Sequence, residues 1–116
     1  MPIVRIFRVV IHSHLRDEFE KNFESISVSA VTESHGARSV RIVKPTAWTP
    51  NEYAMISEWE SEEALKHFAG EEWNRAVIPP GMEVFAKEYW VHHYTTWIET
   101  RTTNESNDIW IAERLR

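Results

Sequence analysis

The stretch YAMISEWESEEALKHFAG, residues 53–70, changes its hydrophobic period in the middle, and that change decides the fold. Over 53–59 the side chains alternate. Tyr53, Met55, Ser57 and Trp59 fall on one side and Ala54, Ile56 and Glu58 on the other, which is the period of two of a β-strand. From Ser61 the spacing turns helical: Ser61 with Glu62 and Glu63 makes a helix start, Ala64, Leu65 and Phe68 supply an apolar face, and Gly70 is a stop.

Working toward the N-terminus, PTAWTPN (45–51) predicts a hairpin loop, because its two prolines cannot donate to a sheet ladder. Before it, ARSVRIVK (37–44) alternates as a strand, with Ser39, Arg41 and Val43 opposing Arg38, Val40 and Ile42; His35-Gly36 is the break ahead of it. Leu15, Phe19, Phe23 and Ile26 recur at spacings of three and four and predict a helix, with Ser13 as its N-cap and Asp17 and Glu18 suiting its positive end. IVRIFRVVI (3–11) is a largely buried first strand whose only charges are Arg5 and Arg8. Toward the C-terminus, EEWNRAV (71–77) has room for a short helix closed by Pro79-Pro80-Gly81. MEVFAKEYWVHHYTTW has room for a short strand and then the last one.

The order is β-α-β-β-α-β, an α+β, ferredoxin-like arrangement: an antiparallel four-stranded sheet with both helices on one face. The other face would expose aliphatic and aromatic residues, so a second copy covering it is the simplest solution, and a homodimer is expected. After Trp97 the polar run IETRTTNESND reads as a linker to an apolar cluster, Ile109, Trp110 and Ile111. The division is therefore a domain over 1–97 and an extension over 98–116, docked on its own subunit or reaching a partner.

Composition narrows the function classes. With no cysteine, disulfides, thiolate zinc sites, iron–sulfur clusters and a cysteine nucleophile are excluded. Thirteen scattered Lys and Arg against eighteen Asp and Glu argue against a nucleic-acid partner. No apolar run approaches the length of a membrane span and no signal pattern opens the chain, so no membrane association and a cytoplasmic location are expected. No glycine-rich phosphate loop is present, so no nucleotide cofactor is expected. His12, His14, His35 and His67 lack a recognisable ligand spacing, so no metal is expected either.

Four segments resemble the antibiotic biosynthesis monooxygenase family of small dimeric α/β-barrel proteins: VRIFRV (4–9), ISEWESEEALKHFAG (56–70), the WNRAVIPPG that follows, and HHY (92–94). The resemblance runs from Ile3 to about Trp97. It implies a ferredoxin-like fold closing into a dimeric barrel, and one of several activities: oxidation of polycyclic phenols by dioxygen without metal or flavin, haem degradation, or quinol oxidation. The haem-degrading branch places an iron-ligating histidine and an asparagine near positions that are Val77 and Phe7 in this chain. Neither can do that work, so the resemblance implies a monooxygenase without cofactor, acting on a phenol or quinol-type small molecule.

His92 and His93 are neighbours on a strand, so they point to opposite faces and cannot share a metal. His93 matches the family's His-Tyr pattern and is the candidate base, able to accept a phenolic proton; the alternative is a histidine that only holds the sheet or interface. Phe7, Trp59, Phe68 and Trp73 are candidates to wall a flat aromatic ligand, or are simply core. Tyr53 and Tyr94 are candidate donors to a substrate oxygen. Arg5, in an apolar strand, is either a substrate contact or half of an ion pair with Glu58 or Glu88. The competing function is a non-catalytic dimer that binds a small hydrophobic molecule.

Overall fold

The computed structural model describes residues 2–100. The apolar cluster expected at Ile109, Trp110 and Ile111 lies outside the described residues. Four antiparallel strands, β1 (Ile3–Ile11), β2 (Ala37–Val43), β3 (Glu52–Trp59) and β4 (Ala86–Thr95), form one sheet in the order β2-β3-β1-β4. Between β1 and β2 lies a helical arm of three segments: α1 (Arg16–Asn22), a π-helical stretch Phe23–Ser27, and α2 (Val28–Thr32). Between β3 and β4 lies α3 (Glu62–Ala69). This is the expected ferredoxin-like order.

The two central strands each bury one face. Ile3, Arg5, Val9 and Ile11 of β1 and Tyr53, Met55, Ser57 and Trp59 of β3 are buried. Both helical arms cover this face. Tyr53 meets Phe19 and Phe23 at ring distances of 4.7 and 6.3 Å, and Trp59 meets Phe68 at 4.9 Å. Burying several side chains of this size stabilises the fold by roughly 1.5–3 kcal/mol each. α3 begins where the sequence places it, with the Ser61 hydroxyl accepting from the Ala64 N–H at 3.1 Å, and ends at Gly70 with φ 86°.

The first arm departs from the expectation in two ways. Ser13 starts a 3₁₀ turn (Ser13–Leu15) rather than capping the helix, and no side chain caps either segment there. The buried residues of the arm are Phe19, Phe23, Ser27 and Val31, while Ile26 is 39% exposed. An unvarying spacing of four outruns the 3.6 residues of an α turn. The π stretch absorbs the difference by widening one turn, and so brings Ser27 to the core where an α-helix would bring Ile26. Further along, residues 71–77 make a turn closed by Arg75 N–H to Glu72 O rather than a helix, and Glu83–Phe85 is a 3₁₀ turn rather than a strand.

Gly36, between α2 and β2, is required twice over. Its φ is +90°, and a Cβ there would stand 2.5 Å from the Ala64 Cβ of α3. The sheet's second face carries Val4, Ile6, Val10, Ile56 and Trp90, all half-buried, with the ion pair Arg38–Glu58 at 3.3 Å and the weaker Arg8–Glu52 at 4.0 Å.

Candidate functional site

The site is a cleft between the buried face of the sheet and the helical arms. β1 contributes Arg5, Phe7 and Val9, and β3 contributes Met55 and Ser57; the first arm adds Phe19, Phe23, Ser27, Ala30 and Val31, and α3 adds Phe68. The stretch Val77, Ile78 and Pro79, with Met82 and Ala86, closes the remaining side. The side chains are apolar apart from Arg5, Ser27 and Ser57, and the cavity holds about 50 Å³. That is room for a few water molecules, at roughly 10–15 Å³ apiece.

Arg5 is the chemically distinctive member. Its residue is 4% exposed. Nη1 donates to the Trp73 carbonyl at 2.7 Å and to His93 Nε2 at 2.8 Å, and Nη2 donates to the Arg75 carbonyl at 2.9 Å. The carboxylate partners considered from the sequence are engaged elsewhere or misplaced: Glu58 pairs with Arg38, and Glu88 lies opposite Val10 on the other face. Arg5 therefore ties the irregular 71–82 stretch to the sheet through two main-chain oxygens. Burial lowers its pKa to about 10, which still leaves it charged at neutral pH.

His93 stands directly across from Arg5 in the β1–β4 ladder, so it faces the helices while His92 faces away. A guanidinium has only donors, so His93 Nε2 is the acceptor and the neutral ring carries its proton on Nδ1. Its ring lies 4.7 Å from that of Trp73, edge to face. Burial, then the Arg5 charge, then His92, push its pKa down to about 4. The imidazole is thus a neutral prop for Arg5 with its basic nitrogen occupied, and it does not line the cavity.

Of the other residues singled out from the sequence, Phe7 and Phe68 line the cavity. Trp59 lies behind Phe68, fully buried, with its Nε1 donating to Ser57 Oγ at 3.0 Å. Trp73 reaches the site through its carbonyl and through His93. Tyr53 is turned to a second cleft of about 190 Å³ with Glu20, Phe23 and Lys44, and its hydroxyl donates to Glu20. Burial and that hydrogen bond raise its pKa to about 12. Tyr94 pairs with Val4 and stands half-exposed on the opposite face. Ser27 and Ala30 carry no sequence signal for a wall position, because the π turn sets which side of the arm meets the cleft; Val77 is marked only through the resemblance to the haem-degrading branch.

Among the described residues, no three His, Asp or Glu side chains group closely enough to hold a metal ion. Phe7 and Val77, the positions matching the haem-degrading branch, both line the cavity, and no imidazole joins them. The lining does not suit a haem iron. No described helix is long and apolar enough to cross a membrane.

Comparison with known proteins agrees with this architecture. SnoaB, a cofactor-independent oxygenase from Streptomyces nogalater, superposes with a TM-score of 0.65 at 14% identity, covering 84% of this chain and 95% of its own. A heme-degrading protein from Mycobacterium tuberculosis gives 0.61 at 21% identity, covering 87% and 100%. A conserved protein from Methanosarcina mazei gives 0.63 at 17%, covering 81% and 91%. Identities this low speak for the fold alone. No curated protein matches in sequence. A family model described as antibiotic biosynthesis monooxygenase matches residues 2–77, which span β1 through α3 and twelve of the sixteen cavity-lining residues. The chain belongs to the antibiotic biosynthesis monooxygenase family.

Proposed function

We propose that the chain is an oxygenase that acts on an aromatic phenol or quinol-type molecule with dioxygen and without metal or flavin. The observation that carries this reading is the apolar cleft between sheet and helices in a chain of this family, with a charged Arg5 in its wall. Phe7 and Phe68 offer ring faces to a flat substrate, and the apolar lining favours both the ring and dioxygen over water.

The reaction balances without an added reductant. The phenol loses its proton, the phenolate passes one electron to dioxygen, and the resulting radical pair combines at the activated ring carbon to give a hydroperoxide. Loss of that carbon's proton with hydroxide, together one water, leaves the quinone and accounts for both oxygen atoms. A ring needs more room than the cavity has at rest. The wall suited to give way is 71–82, which has neither strand nor α-helix and whose hydrogen bonds to the sheet, among the described residues, are those from Arg5.

The test is oxygen uptake by chelator-treated, flavin-free protein offered anthrone and a series of hydroquinones. Saturable uptake with one quinone formed per dioxygen is expected. A folded protein that consumes no oxygen across the series would refute the reading. One observation favours a binding-only role: among the described residues, no carboxylate or imidazole lines the cavity to take the phenolic proton.

The reading includes a homodimer formed through the sheet's second face, where Val4, Ile6, Ile56 and Trp90 gather and Tyr94 is half-exposed. Light scattering is expected to give twice the chain mass, and Ile6→Glu to halve it. A wild-type monomer at micromolar concentration would contradict this.

A further inference from the structure

Arg5 is a buried cation, and among the described residues no carboxylate lies within ion-pair distance of it. Its three hydrogen-bond partners are neutral: two carbonyls and an imidazole. A guanidinium carries five N–H donors, so three bonds leave donor capacity over, including Nε–H. No sealed side-chain nitrogen or oxygen of the described residues lacks a partner. Among the described residues the Nε–H has no partner and is not sealed from its surroundings, and Arg5 is one of the residues that border the cavity. Every other lining residue among those described is uncharged, so there the cavity has one positive group set in an apolar wall. In such surroundings a cation interacts far more strongly with an anion than it does in water.

We propose that the cavity takes its ligand as an aromatic oxyanion, with the ring among Phe7 and Phe68 and the negative oxygen on the free donors of Arg5. This rests on the cavity being the ligand site of the reading above, and it names the form of the ligand. It also answers the absence of a base in the lining. The phenolic proton goes to bulk water, and Arg5 holds the phenolate that remains. His93, on the strand paired with β1, keeps the guanidinium in place, so His93 is a positioning residue.

The probe is 4-nitrophenol, whose phenolate has its own visible absorption band. Full-length protein is added in excess without oxygen, at a pH about one unit below the ionisation of the free phenol. Saturable growth of the phenolate band is expected, equivalent to at least tenfold more ionisation in the bound state. The neutral 4-nitroanisole should bind at least tenfold more weakly. Arg5→Met should abolish the shift. Because Arg5 also holds the 71–82 stretch, Ala30→Phe, which fills the cavity from α2 and leaves the Arg5 side chain in the protein, is the second variant and should block binding. The proposal is overturned if nitrophenol does not bind, if it binds with unchanged ionisation, or if Ala30→Phe leaves the shift intact. Nitrophenol is not turned over under these conditions, so failure of the oxygenase assay leaves this result standing. Turnover of a phenol with no ionisation shift would sink this proposal alone.

Discussion

The neutral His93 beside Arg5 makes stability depend on pH in a window that can be worked out beforehand. Its pKa falls from 6.5 to about 4 on folding, with burial as the first cause and Arg5 as the second. Between those values the unfolded chain binds a proton that the native chain refuses, so stability falls as pH falls through the window. The loss levels off below about pH 4, where the native ring is also protonated. The full shift of about two and a half units corresponds to about 3.4 kcal/mol at 1.36 kcal/mol per unit. His93 is only partly buried, and discounting for the solvent it meets leaves about 1–2 kcal/mol. The assay is urea unfolding at fixed protein concentration, followed by tryptophan fluorescence at steps between about pH 7 and pH 4.5. Carboxylates titrate in the same range, so the quantity to read is the difference between wild type and His93→Gln. Gln can still accept from Arg5 but does not titrate. That difference should shrink by about 1–2 kcal/mol across the window. Parallel curves for the two proteins would refute the reasoning, because His93 would then take up its proton equally in both states.

Gly36→Ala must place a methyl group against Ala64 at a left-handed φ, so a loss of about 1–3 kcal/mol is expected in thermal melts, and an unchanged melt would show that α3 does not press on this turn. Tyr53→Phe keeps the ring against Phe19 and removes the hydroxyl's bond to Glu20, which predicts a loss of about 1 kcal/mol, or a Tm drop of roughly 4–8 °C. In that variant Glu20 keeps Arg16 and Lys44, so a loss above about 3 kcal/mol would mean that the hydroxyl does more than pair with one carboxylate.

The apolar run at 3–11, the alternation at 53–59, the Ser61 cap and the Gly70 stop were each legible in the chain, because composition, period and capping are local properties. They determine the β-α-β-β-α-β order, and the pleat puts Arg5 and Phe7 on one side of β1. The separation of His92 from His93 follows from the pleat alone. Which of the two faced the helices did not, since that depends on the register Arg5↔His93 across the sheet.

Tertiary structure decided what the chemistry of the site is. Arg5 reads from the sequence as half of an ion pair, but its partners are carbonyls 68 and 70 residues away and an imidazole 88 residues away. Main-chain oxygens are present at every residue and leave no mark in composition. The π turn that carries Ser27 inward is equally silent, because it answers to a core already assembled. The chain by itself determined the four strands, the two helical arms and their order. Only packing decided that a free-looking histidine would hold an arginine, and that the arginine would face an apolar cavity without a carboxylate among the described residues.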